Sequence, residues 1–330
     1  MVDLDVFLIL PGLCGQIGGV DMSNKTSLTP EAFKIDASEW CRQIEAFINE
    51  RFVLSYRDGI VIPISGGLDS SVVAALCTRA IGKHKVIGLM LPERLGNPEA
   101  DYHGRLIAKH LDIKTMKINI SPILRGMGTS NLFLSAISGR EKWKGFVTKF
   151  LQKRDQTAKT LYMDALKGKL DASSRKLVAE VSSKQRARLL VAYKIAEEHN
   201  LIVAGSSHKT EQMVGLFVKY GIDDCADIMP LKNIYRSQIL QLAEHIEIPP
   251  EILCRSPNPD ILPGITDKYK GYFGIDYLKV ELILLGLKME LSTGEIARQL
   301  GLDEQTVIQL FEIIQLSEIS RSHALAPELK

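Results

Sequence analysis

Short apolar runs alternate along the chain with longer stretches whose apolar residues recur at helical spacing. Ile60 to Ile64 (IVIPI), Lys85 to Pro92 (KVIGLMLP), Lys114 to Ile120 and Leu201 to Gly205 (LIVAG) have the length of strands. Residues 31–56 predict a helix, with Phe33, Ile35, Trp40, Ile44 and Phe47 as its apolar stripe. Further helices are predicted over about 69–81, over about 98–111, where Ile107 lies between His103 and His110, and over 185–199. Strands alternating with helices of this length predict an α/β fold: a doubly wound parallel sheet covered on both faces. In such a sheet ligands bind beyond the carboxyl ends of the strands, and Ser65 and Gly205 both lie at such an end.

Two segments depart from this alternation. Residues 125–184 are rich in Lys and Arg, among them Arg140, Lys142, Lys144, Lys153, Arg154 and Lys167, with apolar positions such as Trp143, Phe146, Leu161 and Leu166. This reads as a helical insertion, either a solvated one or a lid facing an anionic ligand. The tail, Leu291 to Gln315, has the outline of a helix-turn-helix around Gly301. Its second helix carries Asp303, Glu304 and Glu312 and no Lys or Arg, which excludes a DNA-reading helix. The expected organisation is an N-terminal extension over 1–26, a main domain over 27–290 interrupted at about 125–184, and a helical tail over 291–330 packed on the core. Met22 reads as a start, and residues 1–21 as an upstream addition without the basic residues of an export signal.

Composition narrows the function classes. The 330 residues are 45% apolar, enough for a sizeable core, and the formal net charge of +2 calls for no nucleic-acid partner. The five cysteines have no C-x-x-C spacing, which fits reduced thiols in a cytoplasmic protein rather than a zinc site or a disulfide framework. No apolar run reaches the roughly 18 residues of a membrane span.

The chemistry concentrates after the first strand, in Ser65-Gly66-Gly67-Leu68-Asp69-Ser70. The glycines allow close backbone approach to a ligand, and the following helix N-terminus favours an anion. Ser65, Ser70 and Ser71 offer hydroxyls to phosphate oxygens. Asp69 would repel a phosphate unless a divalent cation lay between them. No Lys closes the loop, so it is not the G-x-x-x-x-G-K-[ST] motif. It resembles the S-G-G-x-D-S pyrophosphate loop of the N-type ATP pyrophosphatases, which implies an adenine nucleotide alpha hydrolase-like fold and cleavage of ATP between its α and β phosphates.

A second block, GSSHKTEQMVGLFVKYGIDDCADIMPL over 205–231, is similar to the ammonia- or glutamine-dependent NAD synthetases. His208, Glu211, Gly215 and Lys219-Tyr220-Gly221 match that pattern without a gap. One residue is inserted before Ala226-Asp227 and Pro230-Leu231. Lys184, Arg186 and Arg188 fall where the family has K-x-R-x-R. The resemblance implies ATP bound by Ser65, Gly66, Gly67, Asp69, Ser70, Ser71 and Lys219. It implies Mg²⁺ on Asp69 and Glu211, and the second substrate near Arg186, Arg188, Asp260 and Asp267. His208 is given no acid/base role, and no protein nucleophile is required. The implied reaction is ATP-dependent amidation of a small carboxylate substrate, deamido-NAD, through an acyl-adenylate, by ammonia that is free or comes from a separate glutaminase. The implied assembly is a homodimer. Ile275 replaces an aromatic of the family pattern, and three further positions depart from it: Ser207, Ile265 and Lys268, the last replacing a Glu. They keep two alternatives open, another N-type pyrophosphatase that amidates or transfers sulfur, and a non-catalytic nucleotide binder.

Overall fold

The computed structural model describes residues 27–94, 96–129, 158–257 and 267–322. Four parallel strands make its sheet: β1 (Gly59–Pro63), β2 (Val86–Met90), β3 (Lys114–Lys117) and β4 (Leu201–Val203), in the order β3-β2-β1-β4. The chain winds outward from β1 through β2 to β3, then returns to place β4 on the other side of β1. The order therefore reverses between β1 and β4, and the loops leaving these two strands open a crevice there.

Alternation along the strands assigns the two faces. Ile60, Ile62 and Ile202 pack into one core with α1 (Ala37–Ser55), α2 (Leu68–Ile81) and α8 (Arg236–His245). Val61, Leu201 and Val203 face the opposite way, onto Ala187, Val191 and Ile195 of α6 (Ala172–Glu198). Both faces are thus covered, as the doubly wound reading requires. Three further helices complete this part: α3 (Pro98–His110) after β2, α4 (Ser121–Gly126) after β3, and α5 (Ala158–Leu166) before α6.

A second core joins helices to helices. After β4 come α7 (Lys209–Met213), α8, α9 (Pro250–Leu253), α10 (Lys268–Phe273), α11 (Tyr277–Lys288), α12 (Thr293–Leu300), α13 (Glu304–Leu316) and α14 (Glu318–Arg321). Ile296, Val307, Leu310 and Ile313 of the tail are buried with Val280, Ile283 and Leu285 of α11. The two tail helices, joined at Gly301 with φ +60°, therefore pack on the body of the protein with their apolar sides inward.

Several boundaries differ from the sequence reading. The first helix begins at Ala37, because Asp36 caps it by accepting the Glu39 N–H, and Pro30–Phe33 is a separate 3₁₀ turn. Phe47, expected in its apolar stripe, is exposed. The helix expected over 185–199 is the second half of the 27-residue α6. Asp171 caps α6, accepting from the Ser173 and Ser174 N–H groups. Of the expected insertion, 158–184 joins the helical core through Leu161, Leu170 and Leu177, while 130–157 lies outside the described residues. The expected extension over 1–26 also lies outside them. Among the described residues no helix is long and apolar enough to cross a membrane.

Candidate active site

The loop after β1 is built around one glycine. Gly66 has φ +72°, and a Cβ there would sit 2.8 Å from the Ala100 carbonyl oxygen and 2.9 Å from the Gly104 nitrogen. Both the left-handed backbone and the contact with α3 exclude a side chain. The serines then brace the turn. Ser65 and Ser70 hydroxyls lie 3.1 Å apart, the Gly67 N–H donates to Ser65 Oγ at 3.2 Å, and Ser71 Oγ donates to the Gly67 carbonyl at 2.8 Å. Ser65, Gly67, Asp69 and Ser70 line a cleft of about 770 Å³ at the carboxyl ends of the strands. Ser71 is fully buried, and its hydroxyl is turned to the loop's own backbone.

The loop leaving β4 supplies the opposite wall. Asp227 fixes its start, since its Oδ2 accepts from the Val203 N–H at 2.7 Å and its Oδ1 accepts from the Tyr193 hydroxyl. The five-residue α7 follows and carries Glu211. Donor atoms of Asp69, His208 and Glu211 all lie within 4.8 Å of one another. His208 is fully buried, and neither ring nitrogen has a hydrogen-bond partner among the described residues. Burial lowers its pKa against the pull of Glu211 and Asp69, so the ring is neutral. Two carboxylates and a neutral imidazole nitrogen are a donor set that fits a divalent cation.

Each carboxylate also meets a cation. Arg236, almost fully buried at the start of α8, donates from Nη1 to Asp69 at 3.3 and 3.4 Å. Lys268, at the start of α10, pairs with Glu211. Burial alone would raise the Glu211 pKa, but the Lys268 ammonium outweighs it and holds the carboxyl below its ordinary value. Thr210 ties the two elements together: its hydroxyl donates to Glu281 at 2.6 Å and accepts from the Arg236 N–H at 3.1 Å.

Other expected residues are placed differently. Arg188 lines the cleft, where its Nη1 donates to Gln185 at 2.7 Å. Arg186 points out of it, to the Lys219 carbonyl. Lys219 does not reach the loop; its Nζ donates to the Ile319 carbonyl at 3.0 Å, tying it to the tail. Asp267 caps α10, accepting from the Tyr269 and Lys270 N–H groups. Asp260 lies outside the described residues. Along 158–184 the cleft is faced by Leu161, Tyr162, Leu166 and Val181, while Lys167 turns to Glu312 at 2.7 Å. The substrate-facing side of this stretch is therefore apolar rather than basic.

Three lining residues were not singled out from the sequence. Arg236 opens a helix five residues beyond the second block, with nothing local to mark it. Arg255 donates to the Gly66 carbonyl at 2.6 Å from another part of the chain. Asp223 is different, because it lies inside the block, next to the inserted residue. Its Oδ2 accepts from the Val218 N–H, its Oδ1 has no partner among the described residues, and burial pushes its pKa up to about 7.

Comparison with known proteins agrees with this geometry. The family model described as NAD synthase matches residues 40–133 and 141–324. The chain is 34% identical to the NH3-dependent NAD(+) synthetase of Mesorhizobium japonicum over 78% of its own length and 85% of that protein. It is 32% identical to that of Thermotoga maritima, over 83% and 93%. Among solved structures, the NMN synthetase of Francisella tularensis superposes with TM-score 0.65 at 21% identity, covering 90% of this chain and all of that one, a likeness of fold. Sequence identity over most of the length, the family match and the loop at the reversal of strand order agree: the chain belongs to the NAD synthase family.

Proposed function

We infer that this protein forms NAD from deamido-NAD, ammonia and ATP, releasing AMP and pyrophosphate. The observation that carries the reading is the S-G-G-L-D-S loop with Asp69 and Glu211 brought to one point of the cleft, in a chain of the NAD synthase family. The loop and the N-terminus of α2 would receive the pyrophosphate of ATP. The carboxylate of the second substrate attacks the α-phosphorus, and pyrophosphate leaves. Ammonia then attacks the acyl-adenylate, giving the amide and AMP. Positioning and charge supply the rate, and no protein nucleophile is needed.

Asp69 and Glu211, with His208 behind them, would hold Mg²⁺. When bound, that ion neutralises charge on the phosphates. Arg188 and Arg255 add fixed positive charge to the cleft walls. Asp223 suits a further task. A carboxyl that titrates at about 7 is half ionised at neutral pH, so it can take a proton from ammonium and leave ammonia as the nucleophile. The sulfur-transfer alternative finds less support, because burial and the neighbouring Asp224 hold the Cys225 thiol above its ordinary pKa. A cytoplasmic setting, ammonia that is free or supplied by a separate glutaminase, and a homodimer complete the proposal.

The test is NAD formation from deamido-NAD, MgATP and ammonium by the purified protein, with the acid precursor of NMN as a competing acceptor. Preferred turnover of deamido-NAD supports the reading. Pyrophosphate release with another carboxylate, and none with deamido-NAD, overturns the substrate but keeps the chemistry.

A further inference from the structure

The carboxylates that fit a metal are already neutralised from within the protein. Asp69 and Glu211 bring two negative charges, and Arg236 and Lys268 bring two positive ones, all in contact at the base of the cleft. A divalent ion entering this set would meet no net negative charge.

The two cations are both buried but differ in kind: a planar guanidinium on Asp69 and an ammonium on a flexible stem on Glu211. Arg236 is 4% exposed, its guanidinium lies 5.6 Å from the centre of the Tyr277 ring, and its backbone N–H is fixed by Thr210. It belongs to the wall. Lys268 reaches Glu211 from the first turn of the short α10. Its backbone is anchored there, since its N–H donates to the Pro257 carbonyl at 2.9 Å, Asp267 caps the turn and the next residue, Tyr269, is fully buried. Its side chain is 10% exposed, with the ammonium 5.4 Å from the centre of the Tyr269 ring, and it lines the cleft as Arg236 does. A four-carbon stem with an ammonium tip, rooted in a fixed turn and bordering the cleft, can leave Glu211 without any backbone change.

We propose that Lys268 is a resident cation of this site, holding Glu211 in place of a divalent ion, and that metal binds through Glu211 only when the lysine swings off it into the cleft. The phosphates of an arriving nucleotide are the chemistry that would draw the ammonium away, so nucleotide entry and metal loading are linked. This inference rests on Asp69 and Glu211 being the metal pair.

The test reads metal directly. Mn²⁺ binding to the nucleotide-free protein is followed by the loss of the free-ion paramagnetic resonance signal, for the wild type, Lys268→Met, Lys268→Arg and Lys268→Met/Glu211→Gln. Lys268→Met is expected to bind Mn²⁺ at least tenfold more tightly than the wild type, while Lys268→Arg, which keeps the charge, stays weak. Equal affinity of Lys268→Met and the wild type overturns the proposal. Tight binding that survives in the double variant removes Glu211 as a ligand, and so rejects the metal pair itself. Should Lys268→Met fail to fold, the wild type gives a second measurement: acylation of Lys268 by an amine-reactive ester, read by mass spectrometry. It should rise several-fold on saturation with Mn²⁺, and unchanged labelling overturns the exchange.

Discussion

Asp69 and Glu211 stand 142 positions apart in the chain, yet their donor atoms share one cluster. Asp69→Asn is expected to lower kcat/KM by about 10²–10³, the usual scale for losing one preorganised electrostatic contact. Glu211→Gln should match it, and the double variant should be little worse than either, since both serve one ion. Additive losses in steady-state kinetics would show separate roles. That the two would meet was expected from local signals: a glycine turn opening a helix after β1, and a carboxylate at the strand-to-helix turn after β4. Lys219, expected at the phosphates, instead donates to Ile319 in the tail, 100 positions on, a contact that no local pattern shows. Asp223 adds a pH effect. Its folded pKa of about 7 lies above the ordinary 3.8, so between those values the folded state keeps a proton that the unfolded state has lost. Stability should therefore fall as pH rises from about 4 to 7. Asp223→Asn should remove that slope, on the order of 4 kcal/mol across the range, in denaturant titrations at several pH values. It should also remove an activity rise centred near pH 7.

The site is aligned by short helices rather than by the sheet alone. Glu281 on α11 is fully buried, accepts from Thr210 on α7 and from the Ser237 N–H on α8, and thereby sets Glu211 and Arg236 relative to each other. Burial raises its pKa to about 6 even with these donors. Glu281→Ala leaves a buried hydroxyl and N–H short of a partner and should cost about 1–3 kcal/mol, seen as a lower thermal midpoint. It should also weaken Mn²⁺ binding in the Lys268→Met background, which a purely global loss of stability would not do in a fully folded sample. At this scale the sequence was readable where burial imposes a pattern. β1, β2, β4 and the helix after β1 follow from apolar runs and turn residues, whereas β3 (KTMK) is mostly exposed and carries no apolar run. That the first half of α6 (ASSRKLVAEVSSK), expected as part of the helical insertion, runs on into the helix over 185–199 escaped because small and polar residues dilute its stripe. No pattern within the Lys268–Phe273 segment shows that it brings a lysine to Glu211, because that contact is made by tertiary packing.

At the scale of the whole molecule, the cleft formed by the described residues can be compared with the proposed substrates. Its volume of about 770 Å³ is that of a site for a single small ligand, typically about 300–1,000 Å³. The proposed reaction brings together ATP and a dinucleotide, so part of the second substrate must lie outside this cleft. Helix α6 points to where. Val181, Gln185 and Arg188 line the cleft, and half a turn beyond them Leu190 is 64% exposed on the outer surface. A single exposed apolar residue does not by itself mark an interface, but Leu190 is the side chain on this helix that the proposed homodimer would cover. The proposed homodimer would then complete the dinucleotide site while leaving the ATP loop, which is built from one chain, intact. Leu190→Glu is expected to shift the protein toward monomer in sedimentation velocity and to raise the KM for deamido-NAD at least tenfold, with nucleotide binding nearly unchanged. A wild type that sediments as a monomer at assay concentrations, with full turnover of deamido-NAD, would place the whole dinucleotide site on a single chain and reject the dimer.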